Sequence, residues 1–409
     1  MSTIPVLLIG PSTRAMAYSA KRAGYEPICV DLFSDTDLQA IATVEVIPIK
    51  DYPHGFIERL KKYPADIPVL YTGGLENHPH VYLELQKQRP LWGYVHPDPF
   101  HGDSVRNPKF LDQVAKAKAI HRPQHQRSCQ DIGRWLMKPR AGAGGRGIHF
   151  WNGDPVPATH FLEEYLDGIS LSAAFINHGS MTSCLGVTEQ LVGCDFVHTP
   201  SPFSYVGSIA PWQGSAVLRC PLHADNKHAF PSSRGQMSTS DPCHGLIEGF
   251  LLKEMERIAK ALTHSDPYLR GLFGVDLILR DNEFYLIEVN PRYTASIEVL
   301  ELTSGKSCLA MHAGAFGLDV NSTQRQPTDM MIGKAIYFAA KACVFPQNGP
   351  WVDVTNKDMW AMSEYADIPT TGTVIERGQP VLTLFAQGAN ASEVMGRLQL
   401  KARLMDQMW

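Results

Sequence analysis

The segment FGVDLILRDNEFYLIEVNPR, residues 273–292, constrains the fold more than any other part of the chain. Two apolar runs separated by polar residues predict a β-hairpin. We place its turn at residues 281–283, where an Asn tolerates the left-handed conformation, so that Arg280 pairs with Phe284.

Three oxygen-bearing side chains share one face of this predicted hairpin. In that register Asp276 lies opposite Glu288, and Asn290 faces the same way because side chains alternate along a strand. Carboxylates buried among apolar residues repel each other, so a cation is expected between them. Oxygen ligands of this kind favour Mg²⁺, or Mn²⁺. The alternative is a solvated sheet face that binds no metal.

A second motif, KPRAGAGGRG at residues 138–147, is rich in glycine. Gly142, Gly144 and Gly145 let backbone N–H groups turn toward a phosphate, and Lys138 adds a positive charge at the end of a predicted strand. The motif lacks the G-K-[S/T] of a Walker A loop, and a flexible surface loop would have the same composition. Together with the hairpin it favours a site for phosphate and metal.

The first hundred residues alternate apolar strands with helical patterns, which predicts βαβ units and a parallel sheet. The predicted elements here are strands at Val6–Ile9, Pro27–Val30, Val46–Ile49 and Val69–Tyr71, and a helix over Thr13–Gly24. Farther along, the predicted elements are a helix over 109–118, strands at Arg134–Lys138 and Ile148–Trp151, long loops over about 201–242, and strands at Ala335–Ala339 and Val381–Phe385.

The order of these motifs resembles the ATP-grasp superfamily. The resemblance rests on a lysine at a helix start (Lys109), the strand lysine with its glycine-rich lid, the EEYL hinge at 163–166, and the D-x11-E-V-N-P-R element. It implies an α/β protein, α+β in its centre, with an ATP-grasp fold. It also implies a Rossmann-like pre-ATP-grasp domain over 1–105, an ATP-grasp domain over 106–320 with a lid subdomain at about 106–160, and a mostly-β C-terminal module over 321–409.

The resemblance assigns ATP as a cofactor and gives roles to the motif residues. The implied roles are phosphate contacts from Lys109 and Lys138, a lid at 141–147, nucleoside contacts from Glu163 or Glu164 and the backbone near Leu166, metal ligation by Asp276, Glu288 and Asn290, and stabilisation of the acyl-phosphate oxygens by Arg292. Read alone, the hinge is also compatible with an ordinary strand ending in a glycine turn. Asp276 replaces a residue that is often Glu in the family, which puts one metal site in doubt.

Three further segments resemble a carboligase-like branch related to biotin carboxylase and to carboxylate–amine ligases. They are YTGGLENHP at 71–79, EVNPRYTASIE at 288–298 and ADIPTTGTVIERGQP at 366–380. The implied reaction joins a carboxylate to an amine through an acyl phosphate and releases ADP and phosphate. Glutamate-type ligation in the biosynthesis of a one-carbon carrier such as tetrahydromethanopterin or methanofuran is the implied setting.

The sequence does not identify the substrates. Candidate contacts are Glu76, Asn77, Tyr205 and Ser208, although ordinary loop structure explains each of them equally well. Two alternatives remain: a bicarbonate-activating carboligase like biotin carboxylase, and a non-catalytic nucleotide-binding regulator. A nicotinamide-dependent dehydrogenase is disfavoured because the residues after Gly10 lack the second and third glycines of the dinucleotide fingerprint.

The bulk composition narrows the classes of molecule that could be partners. The net charge of −4 gives no electrostatic footprint for nucleic acid or an anionic membrane. Eight cysteines without regular spacing predict reduced thiols. The N-terminus lacks the features of a signal peptide, so a cytoplasmic protein is expected. Its expected partners are a small carboxylate and an amine, with a homodimer as an open alternative.

Overall fold

A computed structural model describes residues 4–126, 134–212, 242–318, 322–351 and 358–408, with the side chains of 242–250 left out. The N-terminal strands are β1 (Ile4–Ile9), β2 (Tyr25–Asp31), β3 (Thr43–Val46) and β4 (Val69–Tyr71), and the helices beside them are α1 (Arg14–Arg22), α2 (Thr36–Gln39), α3 (Gly55–Leu60) and α4 (Pro79–Gln88). The strands form a parallel sheet in the order β3-β2-β1-β4. The predicted βαβ arrangement is confirmed.

The third strand lies earlier in the chain than predicted. Its pairing with β2 ends at Val46, and Ile49–Asp51 form a short 3₁₀ helix instead of a strand. Pro48 lies between the two and has no N–H to donate to a sheet ladder. The predicted strand at Val46–Ile49 is therefore wrong, because apolar residues alone defined it.

A small antiparallel sheet follows the first helix of the central region. Its elements are α5 (Pro108–Ala117), β5 (His125–Gln126), β6 (Trp135–Pro139), β7 (His149–Phe150) and β8 (His160–Glu164). The strand order is β5-β8-β6-β7, and the glycine-rich loop joins β6 to β7. The predicted helix over 109–118 and the two predicted strands agree with α5, β6 and β7 to within two residues.

An eight-stranded antiparallel sheet forms the centre of the molecule. Its elements and those around it are β9 (Ile169–Asn177), β10 (Thr182–Val192), β11 (Tyr205–Ala210), α6 (Pro242–Ser265), β12 (Gly271–Arg280), β13 (Glu283–Asn290), α7 (Ile297–Ser304), α8 (Cys308–Ala315), β14 (Met331–Phe338), β15 (Cys343–Val344), β16 (Tyr365–Ala366), β17 (Val374–Ile375), β18 (Pro380–Gly388) and α9 (Ala391–Asp406). Short 3₁₀ helices lie at Leu75–Asn77 and Asp195–Val197. The order β13-β12-β9-β10-β11-β14-β18-β16 carries the C-terminal strands into the same sheet.

Helices cover both faces of this large sheet. On one face α6 buries Met255 and Leu262 in a cluster with Phe175 and Phe273, whose rings stack at 5.1 Å. On the other face α7, α8 and α1 share a second apolar cluster. The predicted site lies on the hairpin of β12 and β13, and β13 is the edge strand of this sheet.

One predicted loop contains a strand. The prediction of long loops over about 201–242 is wrong for Tyr205–Ala210, which form β11 between β10 and β14. A Cβ atom at Gly207 would lie 2.0 Å from the carbonyl oxygen of Lys334, so the glycine that obscured the strand in the sequence is what allows this close pairing. Residues 213–241 lie outside the described part of the chain.

The described residues contain no helix long and apolar enough to cross a membrane. The cysteines whose side chains are described form no disulfide; they are Cys29, Cys184, Cys194, Cys308 and Cys343. Cys129, Cys220 and the side chain of Cys243 lie outside the described part of the chain.

Candidate active site

The hairpin of β12 and β13 pairs Asp276 with Glu288, although its turn differs from the predicted one. Arg280 pairs with Glu283, so the turn contains two residues, both with positive φ (52° and 64°), rather than three. The register then shifts after Asp276, which leaves Ile287 without an opposite residue. The turn is one residue shorter than predicted, and the bulge adds one unpaired residue to β13. The two shifts compensate, so Asp276 and Glu288 still lie opposite each other.

Asp276 is held by neutral hydrogen-bond donors. Asn290 Nδ2 donates to its Oδ2 at 2.9 Å, and Gln190 Nε2 donates to its Oδ1 at 3.0 Å. Burial, followed by the nearby charge of Glu288, raises the pKa of Asp276 to about 6. An added cation would relieve this unfavourable pairing of charges.

Glu288 is bound by an arginine that the sequence did not single out. Arg106 Nη1 donates to Glu288 and, at 3.2 Å, to the carbonyl oxygen of Val289. Arg106 Nη2 donates to Asn77 Oδ1 at 3.1 Å. The side chain of Arg106 is 4% exposed and that of Glu288 is 39% exposed, so the pair joins the interior to the open side of the site.

Arg292 and Glu76 form a second ion pair beside the hairpin. Arg292 Nε lies 2.7 Å from Glu76 Oε1, and its Nη2 donates to Asn290 Oδ1 at 3.2 Å. Glu76 Oε2 accepts the Gly74 N–H at 2.7 Å. Burial alone would raise the pKa of Glu76, but Arg292 and Arg106 outweigh it and lower this pKa. The N-terminal sheet and the hairpin therefore meet at a charged junction.

Lys138 faces Glu163 across the small sheet. Lys138 Nζ lies 2.7 Å from Glu163 Oε1, and His125 Nε2 lies 2.8 Å from Glu163 Oε2. Burial would raise the pKa of Glu163, but Lys138 and His125 outweigh it and lower this pKa to about 2. Glu164 lies on the other face of the strand, where it accepts the Gln124 N–H at 3.3 Å.

The glycine-rich loop is closed against the rest of the molecule. The carbonyl oxygen of Gly142 accepts Asn77 Nδ2 at 3.1 Å, and that of Gly144 accepts the Tyr205 N–H at 3.1 Å. Gly145 has φ +77°, and a Cβ atom there would lie 1.8 Å from the carbonyl oxygen of Phe203. The loop thus packs against both the N-terminal sheet and the entry to β11.

A narrow cleft of about 60 Å³ remains beneath this loop. Its lining includes Lys138, Glu163, Glu288 and the loop residues 142–146. The structure therefore brings together the lysine, the loop and one of the two carboxylates predicted as a site.

Other predicted site residues lie outside this cleft. Lys109 is exposed at the start of α5, and Leu166 is buried after the hinge strand. Tyr205 Oη and Ser208 Oγ lie 2.8 Å apart on β11, farther along the large sheet. No group of three or more His, Cys, Asp or Glu residues in the described ranges is placed to hold a metal. The predicted ligands Asp276, Glu288 and Asn290 comprise two carboxylates and an amide, so they do not make up a group of three such residues.

A family model described as an ATP-grasp domain matches residues 107–218 and 247–296. These residues form an ATP-grasp domain. The matched ranges contain the glycine-rich lid, the hinge strand and the carboxylate hairpin, so the assignment coincides with the cleft. The resemblance drawn from the motifs and the predicted fold class are confirmed.

Three proteins that are similar over most of the chain have low sequence identity to it. An uncharacterized protein of Methanocaldococcus jannaschii is 24% identical over 420 residues, covering 94% of this chain and 88% of that protein. The biotin carboxylase domain of 2-oxoglutarate carboxylase from Hydrogenobacter thermophilus, solved with MgADP, ADP and bicarbonate, has a TM-score of 0.63 at 14% identity and covers 97% and 89% of the two chains. An L-amino acid ligase from Bacillus licheniformis has a TM-score of 0.62 at 12% identity, covering 98% and 97%. These likenesses show a shared fold.

Three contributors to the site were missed in the sequence. Arg106, Gln190 and His125 each bind a predicted site carboxylate, but they come from separate segments and belong to no recognisable motif. Arg106 immediately precedes the helix start that carries Lys109, and this neighbourhood is the one signal that pointed toward it.

Proposed function

We propose that this protein is an ATP- and Mg²⁺-dependent ligase that joins a carboxylate to an amine and releases ADP and phosphate. The observation that carries the proposal is the shared cleft. Lys138, the glycine-rich loop and Glu288 line the same narrow space, so a phosphate chain there would meet a cation, backbone donors and a metal-binding carboxylate together.

The residues at the hairpin fit a magnesium ion. Asp276 and Glu288 supply carboxylate oxygens from adjacent strands, and Asn290 supplies an amide oxygen if Oδ1 exchanges its hydrogen bond from Arg292 for the metal. Arg106 leaves Oε2 of Glu288 available because it binds the other oxygen. A bound Mg²⁺ would neutralise charge that builds up on the transferring phosphoryl group.

The proposed chemistry has two steps. An oxygen of the carboxylate substrate attacks the γ-phosphorus, the bond to the β-phosphate oxygen breaks, and ADP leaves. The amine nitrogen then attacks the carbonyl carbon of the acyl phosphate, phosphate leaves with the bonding electrons, and the nitrogen gives up a proton. Arg292 is the side chain proposed to hold the acyl-phosphate oxygens, because its planar guanidinium suits a spread negative charge.

Nucleotide entry requires the loop to open. The closed cleft measures about 60 Å³, whereas pockets for drug-sized ligands measure about 300–1,000 Å³, so it is too small for a nucleoside triphosphate. Lys138 also has to exchange Glu163 for phosphate oxygens, since its ammonium group is bound to that carboxylate in the closed form. We therefore expect ATP to bind by lifting the loop away from Asn77 and Tyr205.

Thermal unfolding with AMP-PNP tests the nucleotide and metal site directly. We expect Mg²⁺ and AMP-PNP together to raise the Tm by a few degrees, and EDTA to abolish the rise, because the carboxylates repel a triphosphate without a metal. Glu288→Gln keeps the shape but removes a ligand charge, so it should lose most of the rise. Glu283→Gln, on the exposed start of the same strand, is the matched control. Equal stabilisation in EDTA, or a full rise in Glu288→Gln, would contradict the metal assignment.

The residues of this site do not identify the pathway to which the reaction belongs. The predicted glutamate-type ligation in the biosynthesis of a one-carbon carrier stays a prediction, as do the cytoplasmic location and a homodimer. Glu76 is bound to Arg292 in the closed form, so a substrate contact there would have to compete with this ion pair.

A further inference from the structure

We propose that a cavity between α1 and the C-terminal strands binds a small zwitterion of the amino-acid type with a bulky apolar side chain. The cavity measures about 330 Å³ and shares no lining residue with the nucleotide cleft. It lies between the N-terminal sheet region, through α1, and the strands β16 and β18. The inference does not depend on the proposed ligase activity, since no nucleotide is involved.

Two buried arginines supply unused hydrogen-bond donors to the cavity. Arg14, Tyr18 and Arg22 follow one another at four-residue spacing on α1, so they share one face of the helix. Arg14 uses Nε and Nη2 on neighbouring carboxylates, and Arg22 uses Nε and Nη1 on a carbonyl and a carboxylate. Arg14 Nη1 and Arg22 Nη2 have no hydrogen-bond partner among the described residues, although both residues are at most 4% exposed.

Hydrogen-bond donors that face an internal cavity are met there by water or by the acceptor groups of a ligand. A carboxylate matches the planar fork of an arginine and is the natural group to meet Arg14 and Arg22. The cavity is the space into which such a group can be placed.

The charge of the lining excludes a simple anion. Among the described residues, the carboxylates that line the cavity with the two arginines are those of Asp37, Glu298, Asp358 and Glu364. Lys334 binds Glu298 and Lys401 binds Glu364, whereas Asp367 and Glu301 bind Arg14 and Arg22 from outside the lining, so six described carboxylates accompany four cations. A ligand that brought only negative charge would be repelled by this excess, and one that brought only positive charge would leave the arginine donors unmet. A molecule that carries both a carboxylate and an ammonium group satisfies both conditions.

Aromatic rings supply the rest of the surface. Tyr18, Trp351, Tyr365 and Phe385 line the cavity, and Leu302 and Met362 add apolar contacts. The cavity volume lies at the lower end of the range of about 300–1,000 Å³ for small-molecule pockets, which is room for an amino acid with a large side chain. Aromatic faces also favour an ammonium group placed over them.

Binding of L-phenylalanine in the absence of nucleotide tests the site. Isothermal titration would compare L-phenylalanine with phenylacetate, which lacks the ammonium group, and with phenethylamine, which lacks the carboxylate. We expect both analogues to bind at least tenfold more weakly than L-phenylalanine. Equal binding of either analogue would overturn the zwitterion assignment.

A blocking variant locates the binding. Met362 is partly buried against the core beside the cavity, so Met362→Trp should fill the space and weaken L-phenylalanine binding at least tenfold. Met181→Trp, at an exposed position, is the matched control and should bind as the wild type does. Arg22→Lys keeps the charge at α1 but removes the guanidinium group, including Nη2, and should weaken L-phenylalanine binding. Its Tm should fall as well, because the hydrogen bond from Nε to the carbonyl oxygen of Met359 is lost. Unchanged binding in Met362→Trp would refute the site.

Discussion

At the scale of single residues, Glu189 is a buried acid that the proposed chemistry does not use. It lies on β10, on the sheet face opposite Asp276, and is 8% exposed with no hydrogen-bond partner for Oε2. Burial raises the pKa of Glu189 to about 8. Because the folded protein then binds a proton that the unfolded chain releases from about pH 4.5, stability should fall as the pH rises from about 4.5 to about 8.

Glu189→Gln should remove this loss. We expect the variant to be more stable than the wild type by about 1–3 kcal/mol at pH 8, and to differ little near pH 4.5. Urea unfolding of both proteins at pH 5 and pH 8 measures the difference. Glu376→Gln, at an exposed position, is the control. If Glu189→Gln and the wild type kept the same difference in stability at both pH values, the carboxyl group would be charged in the folded protein.

At the scale of single elements, one of the contacts that close the glycine-rich loop leaves no room for a side chain. A Cβ atom at Gly145 would collide with the carbonyl oxygen of Phe203 at 1.8 Å, whereas one at Gly144 would meet nothing within 4 Å. Both residues have positive φ, +77° and +61°, so both alanine variants carry a backbone cost. The difference between the variants therefore isolates the contact with Phe203.

We expect Gly145→Ala to hold the loop open. Trypsin should then cut after Arg140 or Arg146 at least tenfold faster than in the wild type, because an open loop reaches the protease. Gly144→Ala should be cut at a rate close to that of the wild type. Equal rates for both variants would show that the loop is closed by other contacts.

The hairpin shows how far sequence reasoning extends at this scale. Period-two alternation placed Asp276 against Glu288 and Asn290 on the same face, although the turn was one residue too long. A β-bulge has no clear signature in apolar periodicity, so the turn and the bulge could not be separated. Strand β11 was not predicted for a related reason. Gly207 allows β11 to pair with β14, a strand that lies far away in the sequence.

Contacts between residues that lie far apart in the sequence could not be predicted. The contact of Arg106 with Glu288 joins residues 182 positions apart, and no local pattern encodes such a pair. The lysine, the loop and the hairpin were found because each is a local motif with a chemical requirement.

At the scale of the whole molecule, the central sheet runs through the boundary predicted at residue 321. β14 pairs with β11 over Gly207–Ala210, and β18 follows on its other side. Lys334 on β14 also binds Glu298 at 2.9 Å. We therefore expect a chain ending at residue 320 to expose the edge of β11 and to aggregate.

Expression of residues 1–320 checks this expectation. A soluble monomer with a cooperative thermal transition would show that residues 1–320 fold without the C-terminal segment. An insoluble product, beside a soluble full-length chain prepared in parallel, is the expected outcome.

The most direct test of the proposed function is the product of ATP cleavage. With a suitable carboxylate, Mg²⁺ and hydroxylamine in place of the amine, we expect stoichiometric ADP, phosphate and a hydroxamate, because an acyl phosphate is a reactive electrophile. The Glu288→Gln variant should form the hydroxamate at least a hundredfold more slowly. ADP release that depends on bicarbonate and needs no organic acid would favour a bicarbonate-activating carboligase instead. Stoichiometric AMP and pyrophosphate would contradict the account.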